Sequence, residues 1–213
     1  MADLENLTLK EKIAVTLLST NRPGMEELLN YMEQIGYFTA PCSGGNHLAK
    51  EGGLAEHSWN VNGVMNAIYE TVVSGDCEIP DYSIIICALL HDLGKCGDFG
   101  KANYVENWIK DGRPTKAEPE QKYKISETKP FKTNPDLLYI PHEVRSVKIA
   151  SQFIHLTEYE EQAILFHNGL YGDFRYAIQG KETPLYLLLH MADMWASRVM
   201  EVEEEEDENC SEN

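Results

Sequence analysis

Cysteine is scarce in this chain, and its spacing excludes two common uses of the residue. The five cysteines form no C-x-x-C pair, and their odd number does not suit a framework of disulfides. Neither a disulfide-stabilised fold nor a zinc site built from cysteines is expected. A reducing, cytoplasmic setting fits this pattern best. The cysteines lie at Cys42, Cys77, Cys87, Cys96 and Cys210.

Long apolar runs and basic residues are also few. The longest apolar stretch, near residues 84–90, is too short to span a bilayer, and no signal peptide is recognisable, so no membrane association is expected. The sequence has 18 Lys and Arg residues and 35 Asp and Glu residues, which gives a net charge of −17. A long nucleic acid is therefore not the expected partner, because an acidic surface repels polyanions. A small phosphorylated ligand stays possible, since a bound cation reverses the local field.

The acidic residues are concentrated at the C-terminus. Residues 201–213 contain eight acidic and no basic side chains, and without them the net charge is −9. Such a run is typical of a frayed or disordered tail, which either keeps the chain in solution or contacts a basic partner. The sequence does not identify a protein partner.

The remainder of the chain indicates an all-α fold. Apolar residues recur at three- and four-residue steps, and hydrophobic residues make up 43% of the 213 residues. Helix starts are marked by Thr8 with Glu11, by Thr157 with Glu160, and by Thr183 before Pro184. We expect an N-terminal helical extension over 1–36, one main domain over 37–200 and the tail. An irregular, Pro-rich insertion around 97–141 is expected to hold a short hairpin or a lid.

Certain polar residues fall where the helical pattern predicts a buried face. His57 lies within one apolar stripe, His91 and His167 continue two others, and Asp193 lies beside a fourth. A single histidine at such a position is more often an ordinary core residue than a ligand. A buried carboxylate is costly unless it is paired, however, so three histidines and a carboxylate from separate helices indicate one buried metal.

Three segments carry a family resemblance. They are GGLAEHSWNV (52–61), ALLHDLGK (88–95) and LLHMADMWASR (188–198). In order and spacing they resemble the signature of HD-domain phosphohydrolases, which implies a helical bundle over about residues 37–200. The segments FTAP (38–41), IPHEVRSVKIA (140–150) and AILFHNG (163–169) resemble the branch with the HD domain of bacterial exoribonucleases and small stand-alone hydrolases.

The resemblance implies a set of metal ligands. The first metal would be held by His57, His91, Asp92 and Asp193. A second metal, bridged by Asp92, would be held by His142 and His167, although Asn168 stands where some dinuclear members have a further histidine. Asparagine is a weaker ligand for a transition metal. Mixed His and Asp ligation suits Mn²⁺, Fe²⁺, Co²⁺, Ni²⁺ or Zn²⁺, as one or two ions.

Basic residues near these positions are candidates for substrate contacts. Lys95 closes the doublet segment and Arg145 lies one turn after His142, so both are candidates to bind phosphoryl oxygens. The alternatives are a solvated surface lysine and a surface arginine in an ion pair. The nucleotidase branch of the family usually has glutamate in place of Lys95, whereas the string AEHSW resembles that branch. Less specific candidates are Glu56, His47 and His190 beside the ligands, Trp59 and Trp195 for a base pocket or the core, and His155 as a structural residue.

The resemblance implies a metal-dependent phosphohydrolase, acting as a phosphomonoesterase or a phosphodiesterase. A metal-activated water would cleave a phosphate ester of a nucleotide or a similar small molecule, with Asp92 and Lys95 as the catalytic pair. Two alternatives stay open. The domain could sense a nucleotide or a metal without turnover, or it could act as an exonuclease on short oligonucleotides.

Overall fold

Helices make up most of the structure, a computed structural model that describes residues 4–73, 77–116 and 118–202. Eight α-helices are found in this part of the chain, and none of them has the length and apolar character that crossing a bilayer requires. They are α1 (Leu9–Ser19), α2 (Met25–Gln34), α3 (Gly53–Ile68), α4 (Asp81–Leu90), α5 (His142–Ala150), α6 (Glu158–Phe166), α7 (Arg175–Ile178) and α8 (Pro184–Trp195). Shorter helical turns are Leu4–Asn6, Leu93–Cys96 and Gly169–Tyr171, and π-helical turns extend α3 over Tyr69–Val73 and α8 over Ala196–Met200.

Local capping explains where several helices begin. Both predicted capping boxes form: Thr8 caps α1 with Glu11, and Thr157 caps α6 with Glu160. The hydroxyl of Thr183 accepts a hydrogen bond from the first turn of α8. Each cap satisfies backbone N–H groups that the helix itself leaves free. These three starts were predicted correctly because the interactions span only three residues.

The core surrounds α3, which packs against α4 and α8. Leu54, Val61 and Met65 of α3 are fully buried. The predicted N-terminal extension shares this core, since α1 and α2 also supply fully buried side chains, namely Ile13, Leu17, Leu28 and Met32. This packing places α3, which carries His57, against α4, which ends at the His91–Asp92 doublet, and α8, which carries Asp193.

The described chain is mostly helical, as expected, and the predicted insertion contains short strands. Six short strands lie there: β1 (Gly97–Asp98), β2 (Lys101–Ala102), β3 (Tyr104–Glu106), β4 (Trp108–Asp111), β5 (Lys122–Ile125) and β6 (Phe131–Thr133). They form three antiparallel pairs, β1–β2, β3–β6 and β4–β5. Aromatic and β-branched residues favour extended backbone here. A hairpin was expected, but the nested pair β3–β6 was not.

A glycine turn and an ion pair to α5 define the start of this insertion. Gly97 has φ of 106°, and a Cβ atom there would lie 2.0 Å from the carbonyl oxygen of Lys101, so only glycine fits the turn. Asp98 is buried and forms an ion pair with Lys148 of α5. The start of the insertion is therefore held against α5, directly after the His91–Asp92 doublet.

Candidate metal centre

Five helical elements bring the predicted ligands together. His57 comes from α3, His91 and Asp92 from the end of α4, His142 from the start of α5, His167 from the end of α6, and Asp193 from α8. His57, His91, Asp92 and His167 are almost completely buried, whereas Asp193 and His142 are partly exposed. The six residues predicted as ligands therefore lie in one cluster, although they are up to 136 residues apart in the chain.

One half of the cluster surrounds Oδ2 of Asp92. Nε2 of His57 lies 3.6 Å and Nε2 of His91 lies 3.4 Å from this oxygen. The two Nε2 atoms are 3.3 Å apart, and Oδ1 of Asp193 lies 3.2 Å from Nε2 of His57. Nε2 of His57 therefore lies within 3.6 Å of one potential ligand atom from each of the other three residues. We call these four residues the first cluster.

The other half surrounds Oδ1 of Asp92. Nε2 of His142 lies 3.1 Å and Nε2 of His167 lies 3.5 Å from this oxygen, and the two nitrogens are 3.3 Å apart. Asn168 is placed at the edge, with its amide nitrogen 3.4 Å from Nε2 of His142. The carboxylate of Asp92 therefore divides its two oxygens between the first cluster and this second cluster, which consists of Asp92, His142 and His167.

Backbone carbonyls orient two of the histidine rings. Nδ1 of His91 lies 2.9 Å from the carbonyl oxygen of Ala88, and Nδ1 of His167 lies 2.7 Å from that of Ile164. Because a carbonyl oxygen only accepts, Nδ1 must carry the hydrogen in both rings. Nε2, the nitrogen that can hold a metal, consequently points toward Asp92 in each case.

Carboxylates orient the other two rings. Nδ1 of His57 donates to Glu201, with 2.9 Å to Oε2 and 3.1 Å to Oε1, and Asn60 donates to Oε1 at 3.0 Å. Burial raises the pKa of Glu201, but the hydrogen bonds from His57 and Asn60 outweigh it and hold the pKa below its ordinary value. Nδ1 of His142 lies 3.1 Å from Glu143 Oε2. All four imidazoles thus turn Nε2 inward.

This arrangement fits a bound cation. Both oxygens of Asp92 are buried; Oδ2 is paired with the ammonium of Lys95 at 2.6 Å, and Oδ1 faces the Nε2 atoms of His142 and His167. Ligand atoms around a tetrahedral ion with bonds of about 2.0–2.1 Å lie roughly 3.3 Å apart, which is close to the spacings in the first cluster. Two facing Nε2 atoms at 3.3 Å also need a proton or a cation between them. Buried His and Asp side chains that could hold a metal ion are therefore present.

The charges of the metal-free protein agree with this conclusion. Burial lowers the pKa of His57, but the thiol of Cys42 and the carboxylates of Asp193 and Glu201 raise it well above its ordinary value. Burial raises the pKa of Asp92, but Lys95 and the neighbouring histidines hold it well below its usual range. Anionic oxygens therefore persist at neutral pH, and a metal would replace the proton that His57 shares with them.

An open cleft leads to the metal centre. It has a volume of about 140 Å³, and its walls include His167, Asp193, Lys95, Asn168, Tyr171, His190, Ser197 and Arg198. Lys95 Nζ lies 2.6 Å from Oδ2 of Asp92, and Asp92 raises the pKa of Lys95 well above its ordinary value although burial lowers it. Arg198 lies over the ring of Tyr171, 4.6 Å from its centroid. Two cationic side chains therefore face the cleft.

Arg145 does not occupy its predicted place, which corrects the proposed phosphate contact. Its side chain is 2% exposed and is absent from the walls of the cleft. Nη2 donates to the carbonyl oxygen of Leu138, and Nη1 lies 3.5 Å from Asp98 Oδ2. Arg145 therefore holds the insertion against α5. Arg198, the last residue of the segment LLHMADMWASR, is the cation that the sequence reasoning missed.

Of the less specific candidates, His190 and His47 contact residues of the metal centre, whereas the other four do not. His190 donates from Nδ1 to the carbonyl oxygen of His167 at 2.7 Å, and His47 lies beside Cys42 and Glu201. Burial and the charge of Lys95 lower the pKa of His47 to about 4. Glu56 instead pairs with Lys50 on the surface at 2.8 Å. Three residues lie outside the cluster: Trp59, packed against the core, and the exposed Trp195 and His155.

Glu201 is the second residue that sequence reasoning missed, because it was included in the acidic tail. Its side chain is 1% exposed and it contacts His57 directly. The rest of that predicted tail, from residue 203 onward, lies outside the described residues. No sequence signal distinguishes Glu201 from the acidic residues that follow it.

Comparisons with known proteins do not identify a family for this chain. The chain matches no protein-family model, no curated protein and no solved structure. The functional assignment therefore depends on the residues of the metal centre, on their geometry and on the three resembling segments.

Proposed function

We propose that the protein is a metal-dependent phosphohydrolase of the HD-domain type that cleaves a phosphate ester of a nucleotide. The observation that carries this proposal is the position of Asp92. Each of its oxygens faces Nε2 atoms of two histidines, although both oxygens are buried and Oδ2 is already paired with the ammonium of Lys95. Ordinary core histidines would not explain four rings that all present the same nitrogen to one carboxylate.

The ligand types indicate which cofactor would be bound. His57, His91, Asp92 and Asp193 would hold one divalent transition metal, and His142 and His167 would hold a second with Asp92. Imidazole with carboxylate suits Mn²⁺, Fe²⁺, Co²⁺, Ni²⁺ or Zn²⁺. When bound, such an ion supplies a Lewis acid that polarises a phosphoryl oxygen and acidifies water.

The cations of the cleft would bind the substrate's phosphate. Lys95 contacts Asp92 on one side and faces the cleft on the other, so its ammonium can stabilise charge that develops on phosphoryl oxygens. Arg198 has a planar guanidinium that suits bidentate contacts with phosphate. Asp92 keeps Lys95 charged and in place. These roles assign substrate orientation to Lys95 and Arg198, in place of the pair Lys95 and Arg145.

A small substrate agrees with the shape and charge of the protein. The cleft volume of about 140 Å³ is below that of a typical drug-sized ligand pocket, so the cleft has room for a small group such as a phosphate. The net charge of −17 opposes a long polyanion, whereas two local cations and a metal can hold one phosphate group. A nucleotide, or at most a short oligonucleotide, is therefore the substrate class that we propose.

A turnover panel tests this proposal. The manganese-loaded protein is incubated with nucleoside mono-, di- and triphosphates, cyclic nucleotides and short oligoribonucleotides, and the products are resolved by chromatography. We expect turnover in the wild type and in His155→Gln, whose imidazole is exposed and distant from the cleft, but not in His91→Gln. Turnover retained in His91→Gln would contradict the proposal. Metal binding without any product would instead favour a nucleotide-sensing or metal-sensing module.

A further inference from the structure

A second set of ligand atoms lies on the outer side of His57. The thiol of Cys42 lies 3.3 Å from Nε2 of His47, and His47 Nε2 lies 3.9 Å from Oε2 of Glu201. The same carboxylate oxygen is 2.9 Å from Nδ1 of His57. Potential ligand atoms of Cys42, His47 and His57 all lie within 4.8 Å of one another. We call Cys42, His47, His57 and Glu201 the outer group.

The loop before α3 is built to bring His47 back to Cys42. The hydroxyl of Ser43 accepts hydrogen bonds from the backbone N–H groups of Asn46 and His47, at 2.9 and 3.1 Å. It donates in turn to the carbonyl oxygen of His47 at 2.7 Å. The N–H of Cys42 donates to the carbonyl oxygen of Leu48 at 3.1 Å, which closes the loop. The outer group is therefore held by a defined loop and does not depend on flexible side chains alone.

We infer that the outer group is a further cation site, selective for thiophilic divalent ions such as Zn²⁺ and Cd²⁺. Thiolate, imidazole and carboxylate are the ligands that zinc takes in four-coordinate sites. Bonds of about 2.3 Å to sulfur and 2.0–2.1 Å to nitrogen place such ligands roughly 3.3–3.6 Å apart, near the 3.3 Å between Cys42 and His47. Ions with little preference for thiolate, such as Mn²⁺, would bind this site more weakly than softer ions do.

Charge and burial agree with this inference. Cys42 and His57 are fully buried, and the side chain of Glu201 is 1% exposed. A thiolate and a carboxylate together neutralise a divalent ion, so the occupied site carries no net charge of its own. Lys95 Nζ lies 3.7 Å from the Cys42 sulfur and can donate to the thiolate. The proton of the thiol is released to solvent when the ion binds.

Occupation of the outer group would oppose occupation of the first cluster. His57 presents Nε2 to the first cluster only while Nδ1 carries the hydrogen that Glu201 accepts. An ion on Nδ1 leaves the imidazole hydrogen on Nε2, the nitrogen that faces Asp92 and Asp193. A thiophilic ion would therefore remove one ligand from the first cluster and act as an inhibitor.

Cadmium alone provides a direct probe of the outer group. Cd²⁺ is titrated into the reduced, metal-free, full-length protein, and the ultraviolet absorption that accompanies a cadmium–thiolate bond is recorded. We expect this absorption in the wild type and in the matched control Cys77→Ser, whose thiol lies outside the group, but not in Cys42→Ser. His47→Gln should raise the Kd for Cd²⁺ by about tenfold or more, because it removes a direct ligand.

Two outcomes of this titration would overturn the inference. They are absorption that persists in Cys42→Ser and absorption that is absent from both the wild type and Cys77→Ser. Circular dichroism on the same samples verifies that each variant is folded.

Manganese release tests the opposition between the two sites without any measurement of turnover. Cd²⁺ is added to the manganese-loaded protein, and free Mn²⁺ is measured by electron paramagnetic resonance. The Cd²⁺ concentration that releases Mn²⁺ should be lower for the wild type than for Cys42→Ser. Equal Cd²⁺ requirements would mean that cadmium competes only at the first cluster, and the inhibitory role would be rejected.

Discussion

Glu201→Gln should weaken metal binding at the first cluster while leaving the fold in place. The glutamine keeps the size of the side chain but removes the charge that accepts the hydrogen of His57 Nδ1, at 2.9 and 3.1 Å. Without that charge the imidazole is less basic, and its Nε2 is held less firmly toward Asp92 and Asp193. Metal affinity should fall although no ligand has been changed.

The expected size of the effect follows from the hydrogen bond. A bond to a charged group contributes about 1.5–3 kcal/mol, and a neutral one contributes about 0.5–1.5 kcal/mol. The carboxylate is 1% exposed, so water cannot replace it. A loss of about 1.4 kcal/mol corresponds to a tenfold increase in Kd. Outer hydrogen-bond partners of metal ligands typically contribute about 10–100-fold in affinity, which makes tenfold the lower bound.

Isothermal titration of Mn²⁺ into the metal-free protein measures this change. Glu56→Gln is the matched control. It also replaces a glutamate by a glutamine, at the residue directly before His57, but the Glu56 side chain pairs with Lys50 on the surface. We expect the control to bind Mn²⁺ like the wild type. An unchanged Kd in Glu201→Gln, or an equal loss in Glu56→Gln, would refute the orienting role of Glu201.

Three further changes test other parts of the structure. His167→Ala should lower the manganese content, measured by mass spectrometry of the folded protein, from two ions to one; two retained ions would exclude the second cluster. Lys95→Met leaves the buried Asp92 without its ammonium partner and should destabilise the metal-free protein by about 3 kcal/mol in urea unfolding, with partial recovery in Mn²⁺. No change in either condition would contradict this pairing. Glu160→Gln breaks the buried pair with Arg22, and it should cost about 3–5 kcal/mol of stability without altering the Kd for Mn²⁺. A changed Kd would show that this pair acts on the metal centre.

Local interactions explain which parts of the fold were predictable. The capping boxes of α1 and α6 join residues three positions apart, so their sequence pattern is sufficient to find them. The stripes that contain His57, His91 and His167 follow the helical period, and all three residues are buried as expected. The convergence of these stripes on one point was predicted from a resemblance, whereas helical periodicity alone predicts only that each faces a core.

The insertion was less predictable, because its strands are only two to four residues long. Such segments are too short to show an alternating pattern of apolar and polar residues. In addition, the β4–β5 hairpin lies between β3 and β6 in the chain, so the β3–β6 pair is not a simple hairpin. Arg145 was misplaced for a related reason. Helical spacing puts it on the same side as His142, but Asp98 and the carbonyl of Leu138, both outside α5, draw its guanidinium away from the cleft.

The sequence by itself determined the helices, their caps and the residue types that a metal centre needs, because each depends on neighbours within about one helical turn. Only the tertiary structure decided which ring nitrogen faces which partner. Nδ1 of His57 meets a carboxylate 144 residues away, and the two oxygens of Asp92 are assigned to two clusters by helices that are distant in the chain. Contacts of that kind arise from the packing of whole helices, and no local pattern encodes them.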